Sequence, residues 1–233
     1  MSEIIAYDRE APGSQPPNDT PGYASTVKRA PKRAPLAVEQ TLSEVTGPSF
    51  ASGWAGAPLT DLTRQHAAEP LGERIIIAGR VLDEYGRGVP GTLIELWQAN
   101  AAGRYRHEHD QHNAPLDPNF TGAGQMVTDA TGAWRFLTIK PGAYPWRNSH
   151  NAWRPAHLHF SVFGPAFVTR LVTQMYFPGD PLMAFDPISN AIDAAARQRL
   201  VADYDPGLSE PEFALGYRFD IVLRGRAETP MGI

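Results

Sequence analysis

The stretch AHLHFSVF, residues 156–163, carries the pattern that decides the fold. Its residues alternate with a period of two, which places His157, His159, Ser161 and Phe163 on one face of an extended segment. This period is typical of a β-strand. It brings two histidine side chains to the same side of the chain.

Other segments after residue 72 are similar, because they are short runs rich in β-branched and aromatic residues between turn signals. They predict strands at 75–82, 92–98, 133–139, 171–177 and 217–223. The sequence DATG at 129–132 predicts a turn that opens one of these strands. We therefore predict an all-β fold, a two-sheet β-sandwich with long loops.

One helix is predicted near the C-terminal third, at about 189–204, after the start signal Asp186-Pro187. Ile192, Ala196 and Leu200 would form its apolar stripe.

The first 70 residues differ from the rest, because they are rich in Pro, Ser, Thr and Ala and show almost no alternation. Such a segment cannot bury enough apolar surface to offset its own ordering entropy. We therefore expect an extended N-terminal arm over 1–70, packed on its own or a partner chain. A β-sandwich domain that carries the chemistry would follow over 71–233.

Composition excludes several classes of protein. The chain has no cysteine, so disulfides, zinc thiolate sites and cysteine nucleophiles are excluded, and any metal must be held by N and O donors. The formal net charge of −4, without a long block of like charge, disfavours a nucleic-acid partner. The sequence shows no secretion signal and no membrane span, which leads us to expect a cytoplasmic protein.

The seven histidines are the most informative residues. His157 and His159 would lie about 7 Å apart along one strand, a spacing at which one metal ion can be shared, although strand histidines are also common as core residues. A second cluster, HEHDQH at 107–112, offers three imidazoles and two carboxylates. It could hold zinc or Fe(II) by itself, with the strand histidines structural, or be an ordinary solvated loop.

Five sequence motifs lie around the strand histidines, and their order and spacing match those of one protein family. They are ELWQANAAGRYRH (95–107), DPNFTGAGQMVTD (117–129), TIKPGAYPWRN (138–148), WRPAHLHFSVFG (153–164) and LVTQMYFPGD (171–180). On these residues the chain closely resembles the intradiol ring-cleavage dioxygenases, which are non-haem ferric enzymes. The resemblance covers roughly residues 20–225. Within this family, the chain most closely resembles the iron-bearing beta chains of those members that are built from two homologous chains.

The resemblance implies one Fe(III) per chain, held in the 71–233 domain, and no organic cofactor. It carries the four metal ligands onto Tyr105, Tyr144, His157 and His159, with Tyr144 and His157 axial. A trivalent cation favours the phenolate form of a bound tyrosine, so two tyrosinates suit ferric iron.

Further site residues follow from the same resemblance. Arg154 and Gln174 would lie beside the reacting ring, and Tyr144 would act as base as well as ligand. Trp97, Trp146 and Ile188 would line the substrate pocket, although plain core packing would also explain the two tryptophans. Tyr23 in the arm would approach a substrate carboxylate. Arg147 is a second cation near these motifs, and the sequence does not show which way its side chain points.

The implied reaction is cleavage of protocatechuate by O₂ to 3-carboxy-cis,cis-muconate, in aromatic-compound catabolism by the beta-ketoadipate pathway. The implied partner is a homologous alpha chain without iron, in a large hetero-oligomer. Two alternatives stay open: a catechol or hydroxyquinol 1,2-dioxygenase, and a non-catalytic sandwich subunit that shares the fold.

Overall fold

The architecture consists of two main sheets and short helical turns. The computed structural model describes residues 11–17, 19–20, 22–25, 33, 56–150, 152–164 and 170–232. The strands are β1 Arg74–Leu82, β2 Leu93–Trp97, β3 Ala123–Val127, β4 Ala133–Ile139, β5 Tyr144–Trp146, β6 Ala152–Arg154, β7 His157–Phe163, β8 Arg170–Tyr176, β9 Asp203–Tyr204, β10 Leu215–Arg218 and β11 Ile221–Val222. Short 3₁₀ helices span Leu62–Arg64, Pro181–Phe185 and Ser189–Ala191, and α1 spans Ala194–Gln198.

The strands form two layers and one small hairpin. One sheet has the order β3-β2-β7-β8, and the other has β11-β1-β10-β9 with β4 paired to the opposite side of β1. The two-stranded pair β5-β6 stands apart from both sheets. The predicted mostly-β, two-sheet fold is therefore confirmed.

The core lies between the two sheets, where alternate residues of facing strands interdigitate. The first sheet contributes Ile94, Leu96, Leu158, Phe160 and Val162, and the second contributes Ile75, Ile77, Trp134, Phe136 and Ile221. Burying each such side chain contributes roughly 1.5–3 kcal/mol. The core face of β7 is thus apolar, which leaves His157 and His159 on its other face.

The helix predicted at 189–204 is wrong in length. Ile192 has extended backbone angles (φ −116°, ψ 163°), and Asp193 begins a new helix by accepting a hydrogen bond from Ala196 N. Beyond α1 the chain pairs with β8, where Tyr176 exchanges backbone hydrogen bonds with Leu200 and Ala202. The three residues predicted as its apolar stripe, Ile192, Ala196 and Leu200, are nevertheless all buried in one cluster with Tyr176.

The strand predicted at 217–223 is interrupted. β10 ends at Arg218, and β11 begins at Ile221, where the chain passes Gly79 of β1. A Cβ at Gly79 would lie 1.8 Å from the Phe219 carbonyl oxygen, so this approach requires glycine. The short strands β3, β5, β6 and β9 were not predicted from the sequence.

The described part of the arm lies against the sandwich of the same chain. Asp193 N donates to Gly13 O, and Ala24 N donates to Asn148 O beside the β5-β6 hairpin. The division into an arm over 1–70 and a domain over 71–233 stays a prediction, because most of 26–55 lies outside the described residues. In the described portion of the chain, no helix has the length and apolar character needed to cross a membrane.

Candidate metal centre

Two tyrosine hydroxyls and two imidazoles meet at one partly buried point beside β7. His159 Nε2 lies 3.0 Å from Tyr105 Oη and 3.2 Å from His157 Nε2. His157 Nε2 in turn lies 3.2 Å from Tyr144 Oη. The structure therefore brings together the side chains predicted as metal ligands, although they are spread over 55 positions of sequence.

Each of these side chains is placed by a local feature. His157 and His159 share a face of β7, and His157 Nδ1 lies 2.7 Å from Pro155 O, which directs Nε2 into the centre. Tyr144 begins β5 and is paired with Arg154 of β6. Tyr105 lies in the β2–β3 loop, where its backbone N–H donates to Asp110 Oδ2 at 2.7 Å.

The centre is poorly solvated, which controls its protonation. Burial, with a contribution from the Tyr144 charge, raises the pKa of Tyr105 well above its ordinary value. Burial also raises the pKa of Tyr144. Burial and the Arg154 charge lower the pKa of His157 strongly and that of His159 to about 3. Both imidazoles are therefore neutral at pH 7, which is the form that binds metals.

This donor set fits a ferric ion. It provides two hard oxygen donors and two neutral nitrogen donors at one point, and a trivalent cation would reverse the effect of burial by favouring the phenolates. In contrast, no group of three or more His, Asp or Glu side chains in the described ranges is placed to hold a metal. The loop 107–112 thus does not form a centre of its own. Its Asp110 instead holds Tyr105.

A cavity of about 640 Å³ opens at the two tyrosines. It is lined by Tyr105, His109, Asp110, Gln111, His112, Asn113, Tyr144, Pro145 and Arg147. Arg147 therefore faces this cavity, and its Nη1 donates to Gln111 Oε1 at 2.9 Å. The sequence did not show which way the Arg147 side chain points, and the structure places it at the cavity that Tyr105 and Tyr144 also line.

The other predicted pocket residues are not among those that line this cavity. The Trp97 ring stacks on His159, with centroids 4.9 Å apart and planes 5° apart. Trp146 packs edge-on against Tyr23 at 4.9 Å, which brings a buried residue of the arm to the β5-β6 hairpin. Ile188 is buried, and its backbone N–H donates to Asp186 Oδ1 at 3.4 Å.

Arg154 and Gln174 meet, as the resemblance implies, but within a larger buried network. Arg154 Nη2 donates to Gln174 Oε1 and to Tyr176 Oη, the latter at 2.8 Å. Arg154 Nε lies 2.8 Å from Asp186 Oδ1. Sequence reasoning did not assign Asp186 or Tyr176 to the site. Asp186 was noted only as a helix start signal, and Tyr176 only falls within the strand predicted at 171–177.

Family models match most of the chain. The model described as "Dioxygenase" matches residues 45–225, and the model described as "Protocatechuate 3,4-dioxygenase beta subunit N terminal" matches residues 7–41. The second match falls on the arm.

Individual relatives agree with these models. The chain is 55% identical over 232 residues to the protocatechuate 3,4-dioxygenase beta chain of Burkholderia cepacia, covering 99% of this chain and 98% of that one. It is 30% identical to the alpha chain from the same organism, covering 82% and 96%. Among solved structures, the 3-chlorocatechol 1,2-dioxygenase of Rhodococcus opacus matches with a TM-score of 0.56 at 25% identity, covering 78% and 71%.

Proposed function

This chain belongs to the intradiol dioxygenase family, and we propose that it cleaves protocatechuate with O₂ to 3-carboxy-cis,cis-muconate. The observation that carries the proposal is the 55% identity, over nearly the full length of both chains, to a protocatechuate 3,4-dioxygenase beta chain. The convergence of two tyrosines and two histidines, with both tyrosines lining a cavity, supports the same reaction.

Family membership implies non-haem iron, and we assign one Fe(III) per chain to Tyr105, Tyr144, His157 and His159. Iron held by these residues would supply the Lewis acidity that makes a catechol ring reactive toward O₂. The scheme needs no organic cofactor and no external reductant.

Tyr144 has a second role in this proposal. Tyr144 lines the cavity and its Oη belongs to the metal centre, so as a phenolate it would accept a proton from one substrate hydroxyl. Because the base is already in place, substrate binding needs no buffer species to remove that proton.

Arg154 supplies a fixed positive charge behind the reacting ring. It is 2% exposed, and its pKa is raised because the charges on Tyr176, Asp186 and Tyr144 outweigh the opposing effect of burial. A permanent cation in a poorly solvated site stabilises negative charge as it develops on the ring. Gln174, whose Oε1 accepts from Arg154, helps to hold it there.

The substrate carboxylate would be bound at the outer end of the cavity. Arg147 lines that cavity, and Tyr23 reaches the hairpin that carries Arg147 through its contact with Trp146. Trp97 and Ile188 would restrict the position of the ring. The homologous alpha chain would supply the remaining contacts to the carboxylate.

The test begins with iron content and the visible spectrum of the protein purified with its alpha chain. We expect about one iron per copy of this chain and a red-brown colour from ferric tyrosinate. With protocatechuate, O₂ uptake should equal the formation of carboxymuconate. A colourless protein that is fully active with zinc would overturn the metal assignment. A higher kcat/KM for catechol or hydroxyquinol would assign the chain to the 1,2-dioxygenases instead.

A further inference from the structure

Behind the metal centre lies a network of four polar side chains that are almost completely buried. Arg154 and Gln174 are 2% exposed, and Tyr176 and Asp186 are 0% exposed. They come from three separate elements: β6, β8, and the segment between the second and third 3₁₀ helices. Only Arg154 and Gln174 have a role in the function proposed above.

Asp186 makes the contacts that orient the guanidinium. Its Oδ1 lies 2.8 Å from Arg154 Nε, and its Oδ2 lies 3.4 Å from Arg154 Nη2. One carboxylate thus holds the guanidinium through an ion pair at Nε and a hydrogen bond from Nη2, which keeps the group in this position. In the described residues, Asp186 is also the only carboxylate that forms an ion pair with Arg154.

Tyr176 connects Asp186 to the rest of the network. Its hydroxyl lies 2.8 Å from Asp186 Oδ2, 2.6 Å from Gln174 Oε1 and 2.8 Å from Arg154 Nη2. The Asp186 carboxylate is itself held by the backbone N–H of Ser189 at 3.3 Å and that of Ile188 at 3.4 Å. The network is therefore tied to the backbone on one side and to Arg154 on the other.

Stability alone does not account for this arrangement. A buried ion pair usually contributes little net stability, because removing two charges from water offsets their attraction. A guanidinium without its counterion, however, would be driven out of the site toward water. The pair therefore matters most for where the charge of Arg154 is held.

We propose that Asp186, assisted by Tyr176, is a positioning residue that fixes the Arg154 guanidinium beside the bound aromatic ring. The proposal rests on the function proposed above, since it assigns Asp186 to the stabilisation of the reacting ring. Asp186 acts through Arg154 and does not touch the substrate.

The decisive experiment is a double-mutant cycle on the iron-loaded enzyme assembled with its alpha chain. Asp186→Asn keeps the shape of the side chain and removes its charge. We expect kcat to fall about 10- to 100-fold, because a displacement near 1 Å can have that effect. The protocatechuate dissociation constant should change less than about twofold, and iron content and the visible band should be unchanged. Asp193→Asn is the matched control, because it removes an aspartate from an exposed helix cap nearby and should leave kcat unchanged.

The cycle separates positioning from a merely structural role. If Asp186 acts through Arg154, adding Asp186→Asn to Arg154→Ser should lower kcat no further than Arg154→Ser alone. Losses that multiply in the double variant would overturn the proposal. The proposal would also be overturned if the fall in kcat of the Asp186→Asn enzyme matched a fall in its iron content. If Asp186→Asn does not assemble, Tyr176→Phe takes its place in the cycle, with an expected loss of about fivefold in kcat and the same non-additivity.

A crystal structure of the Asp186→Asn enzyme gives a readout independent of activity. We expect the Arg154 guanidinium to be displaced or to lie in two orientations, while the four metal ligands stay in place. An undisplaced Arg154 would overturn the proposal even if the enzyme cleaves protocatechuate. Inactivity of the unsubstituted enzyme on protocatechuate would contradict the proposed function instead, and the position of Arg154 in the variant would still decide the role of Asp186.

Discussion

Tyr105 illustrates how single residues build the centre. It comes from a loop and not from a strand, and Asp110 holds it through its backbone N–H at 2.7 Å. Its ring packs edge-on against Tyr144, with centroids 5.3 Å apart. Asp110 thus anchors the backbone of Tyr105, whose hydroxyl lies 3.0 Å from His159 Nε2.

Replacing Tyr105 tests the metal assignment. Tyr105→Phe removes one oxygen donor, so we expect a weaker visible band and activity lower by at least about tenfold. Tyr85→Phe is the control, because Tyr85 is an exposed tyrosine outside the site. His112→Ala should leave the colour unchanged, since the loop histidines are not ligands in this assignment. A Tyr105→Phe protein with an unaltered spectrum would contradict it. Absorption spectra normalised to iron content provide the measurement.

Replacing Arg154 tests the role of its charge. If the guanidinium stabilises charge that develops on the ring, Arg154→Ser should lower kcat by about a hundredfold or more and change the substrate dissociation constant much less. Steady-state kinetics and equilibrium titration under anaerobic conditions separate the two quantities. Equal losses in both would show that Arg154 holds the substrate in the ground state.

At the scale of elements, strand register determines which side chains meet. The β7–β8 register pairs His157 with Tyr176 and His159 with Gln174, and the β2–β7 register pairs Trp97 with His159. Since a shift of one residue would reverse every side chain of β7, the apolar core on its other face fixes the metal centre as well.

Gly79 provides a test of the packing between β1 and the β10–β11 segment. In Gly79→Ala the new Cβ would lie 1.8 Å from the Phe219 carbonyl oxygen, so one segment must move. We expect a loss of roughly 1–3 kcal/mol in stability, as for other overpacked sites. Thermal unfolding of the assembled protein measures it. Gly86→Ala is a useful comparison, because a Cβ there meets nothing within 4 Å and only its positive φ opposes the change.

The turn Asp129–Gly132 should depend on pH. Hydrogen bonds from Thr131 Oγ1 and from the backbone N–H groups of Ala133 and Thr131 lower the pKa of Asp129. A carboxylate whose pKa is lowered on folding stabilises the turn above its unfolded pKa of 3.8, and this effect disappears as the pH falls through the lower folded value.

Hydrogen exchange can measure this dependence. Asp129→Ala should increase deuterium uptake of the peptide 127–135 at pH 7, and the difference from the unsubstituted protein should shrink below about pH 3.8. Asp205→Ala serves as the control, since Asp205 caps a separate turn through Gly207 N. A difference that persists at low pH would show that the charge of Asp129 does not support the turn.

For the whole molecule, the central prediction concerns the partner. The chain matches a beta chain over 99% of its length, and it also matches an alpha chain over 82%. We expect the chain alone to be poorly soluble or inactive, and co-expression with an alpha chain to restore a large active assembly. Size-exclusion chromatography with activity on protocatechuate measures both. A well-behaved, fully active homo-oligomer of this chain alone would contradict the partner prediction and leave the iron assignment intact.

The local patterns alone predicted much of the fold and part of the site. Runs of β-branched and aromatic residues between turn signals identified β1, β2 and β4, and alternation with a period of two identified β7 and β8. The same period put His157 and His159 on one face. The phrases around Tyr105, Tyr144 and Arg154 supplied the rest of the site through their family resemblance.

Tertiary structure decided what depends on contacts between distant segments. The break between β10 and β11 follows from the approach of Gly79, and the early end of α1 follows from pairing of 200–202 with Tyr176. The direction of Arg147 and the contact of Asp186 with Arg154 likewise join separate segments. No periodicity records such contacts, because a pattern along the chain reports which face of an element is buried and not which residue of another element lies against it.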